Sequence, residues 1–319
     1  MKINGTERGN LWSIILAGGE GERTRPLVTR WLGYHKPKQF CTFVGRRSML
    51  QHTWDRADQL TLPERKVTVV SWAHRREVWQ QVENRNVGHV VLQPQNRDTA
   101  AGIFLPLTYV RAWDPGATVV VFPSDHFVFP ENQFVQTVRH AVLAAERLAD
   151  RVILVGVTPR SLELEYGWIQ PAQELGWFAG SRFRAVDSFL EKPDASNCMA
   201  AMAAGALWNT LVVAAKVETL WNLGWRCLPE LMDLFEVLGQ TIGFREEGNM
   251  LDSIYRVMPV VNFSSDLLQR VTDRLGVIEL RDAIWSDWGQ PERIVETLRA
   301  LGEKPAFPLN FQEGSSLST

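Results

Sequence analysis

Short runs of apolar, often β-branched residues alternate along the chain with longer stretches whose apolar positions recur at helical spacing. This alternation predicts an α/β sheet. The strand pattern falls on residues 12–16, 66–71, 89–92, 118–122, 152–157, 183–190 and 211–215. Helical spacing with one apolar face covers residues 48–59, 74–84, 99–113 and 133–148. The first half therefore predicts a regular doubly wound sheet. After Val157 the order loosens, and EYGWIQPAQELGWFAGSRFRAV reads as paired strands joined by turns, an antiparallel insertion. No Gly/Ser/Pro linker separates the two patterns, so one elaborated domain is expected over residues 11–301. A polar extension, 1–10, precedes it, and a tail without period, expected to be loose, follows at 302–319.

Composition narrows the class. A chain of 319 residues with 45% hydrophobic and 22% charged residues matches a soluble globular protein with a full core. A formal charge of -2 and the lack of any basic block argue against a nucleic-acid partner. The thirteen tryptophans are therefore read as packing residues, Trp54, Trp79 and Trp113 among them, and not as a stacking platform. Cys41, Cys198 and Cys227 are scattered without metal-ligand spacing, and their odd number suggests no disulfide framework. A polar amino terminus and the absence of a long apolar run argue against a leader or a membrane span, so a cytoplasmic location is expected.

Candidate chemistry gathers at strand ends. LAGGEGERTRPL, residues 16–27, follows the first strand; it lacks a Walker ending, and the third glycine of a dinucleotide fingerprint would fall on Thr24. What remains is a general device: Gly18, Gly19 and Gly21 let amides converge on an anion, and Arg23 and Arg25 supply forked donors. An ordinary strand-to-helix turn would account for the glycines alone. VFPSDHF places Asp125 at the carboxyl end of an expected central strand, where open α/β sheets hold ligands, and IWSDWG places Asp287 after another apolar segment. Mg²⁺ that bridges phosphates takes only one or two protein carboxylates, so these two would suffice, although either could be a turn or capping aspartate. Trp285 and Trp288 flank Asp287 and could wall such a site.

In this order, LAGGEGERTRPL, HKPKQF, QNRDTAAGI, FPSDH, EYGW, FLEKPD, WN and WSDWG resemble the sugar-1-phosphate nucleotidyltransferases, and within them the branch acting on mannose 1-phosphate and GTP. The match runs from about Leu11 to about Leu298. The resemblance implies a Rossmann-like mixed, mainly parallel sheet flanked by helices, with the antiparallel insertion as a sugar-binding lobe. It implies nucleotidyl transfer from a nucleoside triphosphate to a sugar 1-phosphate with release of pyrophosphate, Mg²⁺ as cofactor, and room for a homo-oligomer. Such transfer depends on positioning and charge neutralisation more than on a covalent catalyst.

By the same resemblance, Arg23, Lys38, Asp125 and Asp287 are the catalytic set, with Asp125 and Asp287 holding the metal. Leu16, Gly18, Gly19, Gly21, Arg23, Gln93, Asp98 and Thr99 would bind the nucleotide, and Gly167, Glu191, Lys192 and Asn209 the sugar phosphate. His126 stays outside the catalytic set. Two departures stand out. Asp98 replaces the family's asparagine, so it could accept from guanine N1 and N2 or cap the helix that follows. After Trp208-Asn209 the family has a small residue, a glycine and an aromatic; here stand Thr210, Leu211 and Val212, which alters the sugar pocket. The same chemistry with another base or sugar, or a silent nucleotide-sugar binder, are the competing readings. The retention of Arg23, Lys38, Asp125, Lys192 and Asp287 argues against the silent one.

Overall fold

The structure, a computed structural model, describes residues 10–82, 85–178 and 180–308. Its strands are β1 (Leu11–Ala17), β2 (Lys66–Ser71), β3 (His89–Gln93), β4 (Thr118–Pro123), β5 (Phe127–Phe129), β6 (Val152–Val157), β7 (Gly167–Phe178), β8 (Ser181–Glu191), β9 (Leu207–Lys216), β10 (Leu275–Leu280) and β11 (Ile284–Ser286). Its helices are α1 (Arg25–Leu32), α2 (Met49–Asp58), α3 (Arg75–Val82), α4 (Asp98–Trp113), α5 (Glu131–Arg147), α6 (Ala195–Ala203), α7 (Val217–Cys227), α8 (Pro229–Gly239), α9 (Glu247–Val257), α10 (Phe263–Asp266) and α11 (Pro291–Ala300).

Nine strands form one sheet in the order β3-β2-β1-β4-β9-β6-β10-β8-β7, with β7 also paired to β9. β3, β2, β1 and β4 run parallel, as do β6 and β10, whereas β9, β8 and β7 join antiparallel. β1 sits between β2 and β4, with Ile14 opposite Val67 and Val121, and is covered on both faces, which explains its unbroken apolar run. Successive side chains divide between the faces. Ile14, Val119 and Val121 enter a core with α4, α7 and α8, while Ile15, Val120 and Phe122 enter a second with α2 and α5. The antiparallel insertion is the β7–β8 hairpin, which continues the main sheet at its far edge.

The expected strands and helices recur with small shifts. At α2 the boundary is chemical: Ser48 Oγ accepts from Gln51 N at 3.2 Å and Gln51 Oε1 from Ser48 N at 3.0 Å, a closed capping box. Asn84, the expected end of α3, lies outside the described residues. β9 begins four residues earlier than its pattern indicated, because residues 207–209 pair with β6 and β7. The expected loose tail is packed at its start: Ala306 N donates to Phe43 O at 2.8 Å, and Phe307 is buried against Trp31 and Phe43. Burying one large apolar ring is enough to hold this segment down. Residues 1–9 and 309–319 lie outside the described residues. Among the described residues no helix is long and apolar enough to cross a membrane.

Candidate active site

The chain leaves β1 through Gly18, Gly19 and Gly21 and enters α1 after a single 3-10 turn. Gly21 has φ +65°, and a Cβ there would stand 2.9 Å from the backbone nitrogen of Lys38. At Gly18 a Cβ would meet Gln93 Nε2 at 2.6 Å, while Gly19 faces open space. Gly21 is thus required by its backbone angle and by the Lys38 backbone, Gly18 makes room for the Gln93 amide, and Gly19 leaves the loop's outer face clear. Gln39, buried beneath it, donates from Nε2 to Ala17 O at 3.0 Å and Gly19 O at 2.8 Å, which ties the loop to the interior.

Asp125 and Asp287 are brought together by a small two-stranded ribbon. β5 begins two residues after Asp125 and β11 ends one residue before Asp287; Phe127 pairs with Ser286, Val128 with Trp285 and Phe129 with Ile284. Lys38 lies buried between the aspartates, with Nζ 3.0 Å from Asp125 Oδ2 and a hydrogen bond to the backbone oxygen of Asp287. Burial pushes the Asp125 carboxyl up, but Lys38 and then His126 outweigh it and hold the group below its ordinary range. His126 is itself held down to about 4, mainly by burial, and its Nε2 stands 3.7 Å from Asp125 Oδ1.

Asp287 is anchored on one side. Its Oδ1 accepts from Tyr166 OH at 2.7 Å, Arg293 Nη1 at 2.9 Å and Gly289 N at 2.9 Å. Among the described residues its Oδ2 meets Arg23 Nη2 alone, at 3.4 Å. Burial raises this carboxyl too, yet Lys38, Tyr166 and Arg293 keep it well below the carboxylate range, so it is ionised. Arg23, half exposed, also reaches Glu165 at 3.5 Å. Such exposed pairs contribute about 0–1 kcal/mol each, so a phosphate can recruit Arg23 readily. Trp285 meets His126 and Tyr166 edge-on at 5.2 and 5.4 Å, and Trp288 stacks on Phe127 at 4.4 Å.

Leu16, Gly18, Gly19, Gln93, Asp98 and Thr99 line one cleft of about 380 Å³. Gly21 and Arg23 stand outside that lining, on the Lys38 and Asp287 side. Within the cleft the polar groups differ in what they have left to offer. Leu16 O already accepts from Ser124 N at 3.1 Å and Ser124 Oγ at 2.7 Å. Asp98, at φ +66°, accepts from Thr99 N at 2.6 Å and from Asn262 Nδ2 at 3.2 and 3.4 Å, so its carboxylate ties the start of α4 to the segment before α10. Thr99 Oγ1 completes the tie by accepting from Phe263 N at 2.8 Å. Gln93 is buried and its Oε1 has no partner among the described residues.

The four residues expected on the sugar side also converge. A Cβ at Gly167 would lie 2.8 Å from Glu191 Oε2, 2.9 Å from the Phe189 ring and 3.3 Å from Asn209 Cβ, so a side chain there would crowd all three. Asn209 Oδ1 accepts from Leu211 N at 3.1 Å, which leaves its amide nitrogen as donor. Lys192, at φ +46°, donates its backbone N–H to Tyr166 O at 3.1 Å. Leu211 has φ +56°, so the backbone keeps the left-handed turn that a glycine would take there.

Sequence reasoning gave no role to Gln39, Tyr166, Glu163, Glu165, Arg293 or Asn262. Gln39 adjoins Lys38 and Tyr166 lies inside EYGW, so both had a signal. Arg293 had none: it reaches Asp287 from α11, is held by Glu163, and covers the Tyr166 ring at 4.8 Å. Among the described residues no three His, Cys, Asp or Glu side chains form a metal cluster. The two ionised carboxylates nonetheless fit Mg²⁺, which completes its octahedron with water and phosphate oxygens.

A nucleotidyl transferase family model matches residues 12–304. Xanthan biosynthesis protein XanB of Xanthomonas campestris pv. campestris (strain B100) is 27% identical over 301 residues, 91% of this chain and 60% of that protein. A mannose-1-phosphate guanylyltransferase of Escherichia coli is 26% identical over 282 residues, 86% of this chain and 59% of the relative. The chain thus spans about three fifths of the length of these curated relatives. A solved structure described as mannose-1-phosphate geranyltransferase from Thermus thermophilus superposes with a TM-score of 0.75 at 24% identity, over 90% of this chain and 79% of the other, and shares the fold. With its glycine loop, paired strand-end aspartates and lysine between them, the chain belongs to the nucleotidyl transferase family.

Proposed function

We propose that the chain transfers a nucleotidyl group from a nucleoside triphosphate to a sugar 1-phosphate and releases pyrophosphate, with GTP and mannose 1-phosphate as the pair. One observation carries the reading: Arg23, Lys38, Asp125 and Asp287 form one linked cluster that adjoins Gly21 of the glycine loop on one side and, through Tyr166, the segment of Gly167 on another. A phosphate of the sugar substrate entering from the second side faces the α-phosphate held on the first. Asp125 and Asp287, the latter through Oδ2, would hold Mg²⁺, which supplies charge neutralisation on the phosphates when bound. Lys38 fixes both aspartates, Arg23 leaves its weak pairs for the leaving phosphates, and Lys192 meets the sugar phosphate. Glu191 as acceptor and Asn209 as donor suit neighbouring sugar hydroxyls.

The choice of GTP and mannose 1-phosphate is supported by the names of the relatives. Asp98 is spent on Thr99 and Asn262, so Gln93, with an unpaired acceptor, is the better reader of guanine N1–H and N2–H. Pyrophosphate release across a matrix of the common nucleoside triphosphates and sugar 1-phosphates, with and without Mg²⁺, tests the reading. GTP with mannose 1-phosphate should be fastest, and Gln93→Leu should narrow the preference for GTP over ATP at least tenfold. Equal rates for all bases, or no turnover of any pair, would refute it.

A further inference from the structure

A second concave surface lies between α5, the β7–β8 hairpin and the end of β10, with a volume of about 280 Å³. Gln133, Gln136, Thr137 and His140, spaced i, i+3, i+4 and i+7, present one polar row of α5 to it. Arg182 and Arg184, two residues apart and so on one face of β8, also line it. Arg281, just beyond β10, closes the end.

Of the two carboxylates that line the cleft, Glu279 and Asp282, the first is already committed. Glu279 Oε1 accepts from Thr158 at 2.6 Å, and its Oε2 accepts from Arg281 Nε and Nη2, each at 3.0 Å. Arg182 spends its Nε on Glu174 at 2.9 Å. Asp282 lines the cleft at φ +54°. Arg184 makes no side-chain hydrogen bond or ion pair among the described residues. Burial weakens its hold on its proton; Glu279 opposes this, and Arg182 and Arg281 add to it. Arg184 is thus a half-buried guanidinium with two others at its flanks, Glu279 as a countercharge, and no direct hydrogen bond or ion pair among the described residues.

We propose that this cleft binds a small phosphate-type oxyanion, free or carried as a phosphate ester, with Arg184 at its centre and Arg182 and Arg281 at its sides. Three forked donors from two adjoining strands suit a tetrahedral group with several oxygens and about two charges, more than a planar carboxylate with one. The Gln133 and Gln136 amides add neutral donors at the rim. Asp282 leads through β11 to Asp287, so the bound anion sits at the root of the strand that carries a candidate catalytic carboxylate.

Thermal unfolding with added ligand tests the site without any need for turnover, so its outcome is independent of the proposed reaction. Inorganic phosphate and glycerol 3-phosphate are the two probes, with sodium chloride at equal ionic strength as control. At roughly 20 mM, at least one of them should raise the wild-type Tm by about 3 °C or more over chloride, the better one marking the source. The rise should vanish in Arg184→Ala and in Arg184→Ala/Arg281→Ala, persist in Arg23→Ala, and leave basal turnover of the Arg184 variants unchanged. Arg184→Gln, which keeps length and polarity, guards against an unfolded alanine variant. An equal rise in chloride, a rise undiminished in the Arg184 variants, or its loss in Arg23→Ala would each overturn the proposal.

Discussion

The two oxygens of Asp287 have different lives. Three donors hold Oδ1, and Oδ2 alone faces the phosphate side, so the Tyr166 hydroxyl helps to decide which way the charge is offered. Tyr166→Phe keeps the ring against Trp208, Trp285 and Arg293 and removes only that hydroxyl. Loss of one such bond costs about 1–2 kcal/mol where the acceptor stays satisfied by others. We expect turnover to fall roughly tenfold, in line with that energy, with both KM values within about twofold. A lowered Tm with unchanged kcat would make the hydroxyl purely structural. Glu191 yields a pH prediction. Burial raises its carboxyl above the ordinary 4.5, Lys192 opposes and Asp98 assists. The ionised form is the stronger acceptor for sugar hydroxyls, so KM for the sugar 1-phosphate should climb as pH falls toward the raised value, and Glu191→Gln should flatten the profile at high KM. The folded state holds this proton to higher pH than the unfolded chain, so the same group lowers stability as pH rises across that interval. Opposite behaviour in pH-dependent melts of wild type and Glu191→Gln would refute the sign.

Among the elements, β9 carries the clearest conflict between residue and conformation. Leu211 adopts φ +56°, where a side chain costs about 1–2 kcal/mol, while its own side chain packs on the core. Replacement by glycine loses the packing but relieves the turn; replacement by alanine loses the packing and keeps the strain. Leu211→Gly should therefore be more stable than Leu211→Ala by about 1 kcal/mol in denaturant unfolding, and the reverse order would mean the turn relaxes on substitution. Neighbouring strands show what was legible. β2 and β6 could be bounded to the residue because short β-branched runs ended at turn chemistry. β10 was missed, though it lies between β6 and β8, because LGVIEL is too short to separate strand from helix and no turn signal brackets it. The ribbon strands β5 and β11 are three residues each, below any period, yet they bring Asp125 and Asp287 together. Motif order found those aspartates; it could not find Arg293, whose contact depends on how α11 returns across the site.

For the whole molecule, continuity of the sheet is the governing fact. β10 from the end of the chain is inserted beside β6, and β9 lies between β4 and β6, so a cut after β6 strips β4 and β6 of native neighbours. Heat or denaturant should give one cooperative transition, with fluorescence and far-UV circular dichroism coincident. A protease-resistant fragment ending near residue 160 and melting separately would contradict this.

The ribbon also sets a schedule. Domains assemble as the chain emerges from the ribosome, amino-terminal parts first. β5 and Asp125 emerge early, but their partner strand β11 and Asp287 come only after β10 has closed the sheet. Until then the glycine loop and its cleft can be shaped while the second carboxylate is still unmade. A nascent chain stalled before β11 would therefore have a place for a nucleotide but no means of acting on it, and competence would arrive at one late step of synthesis.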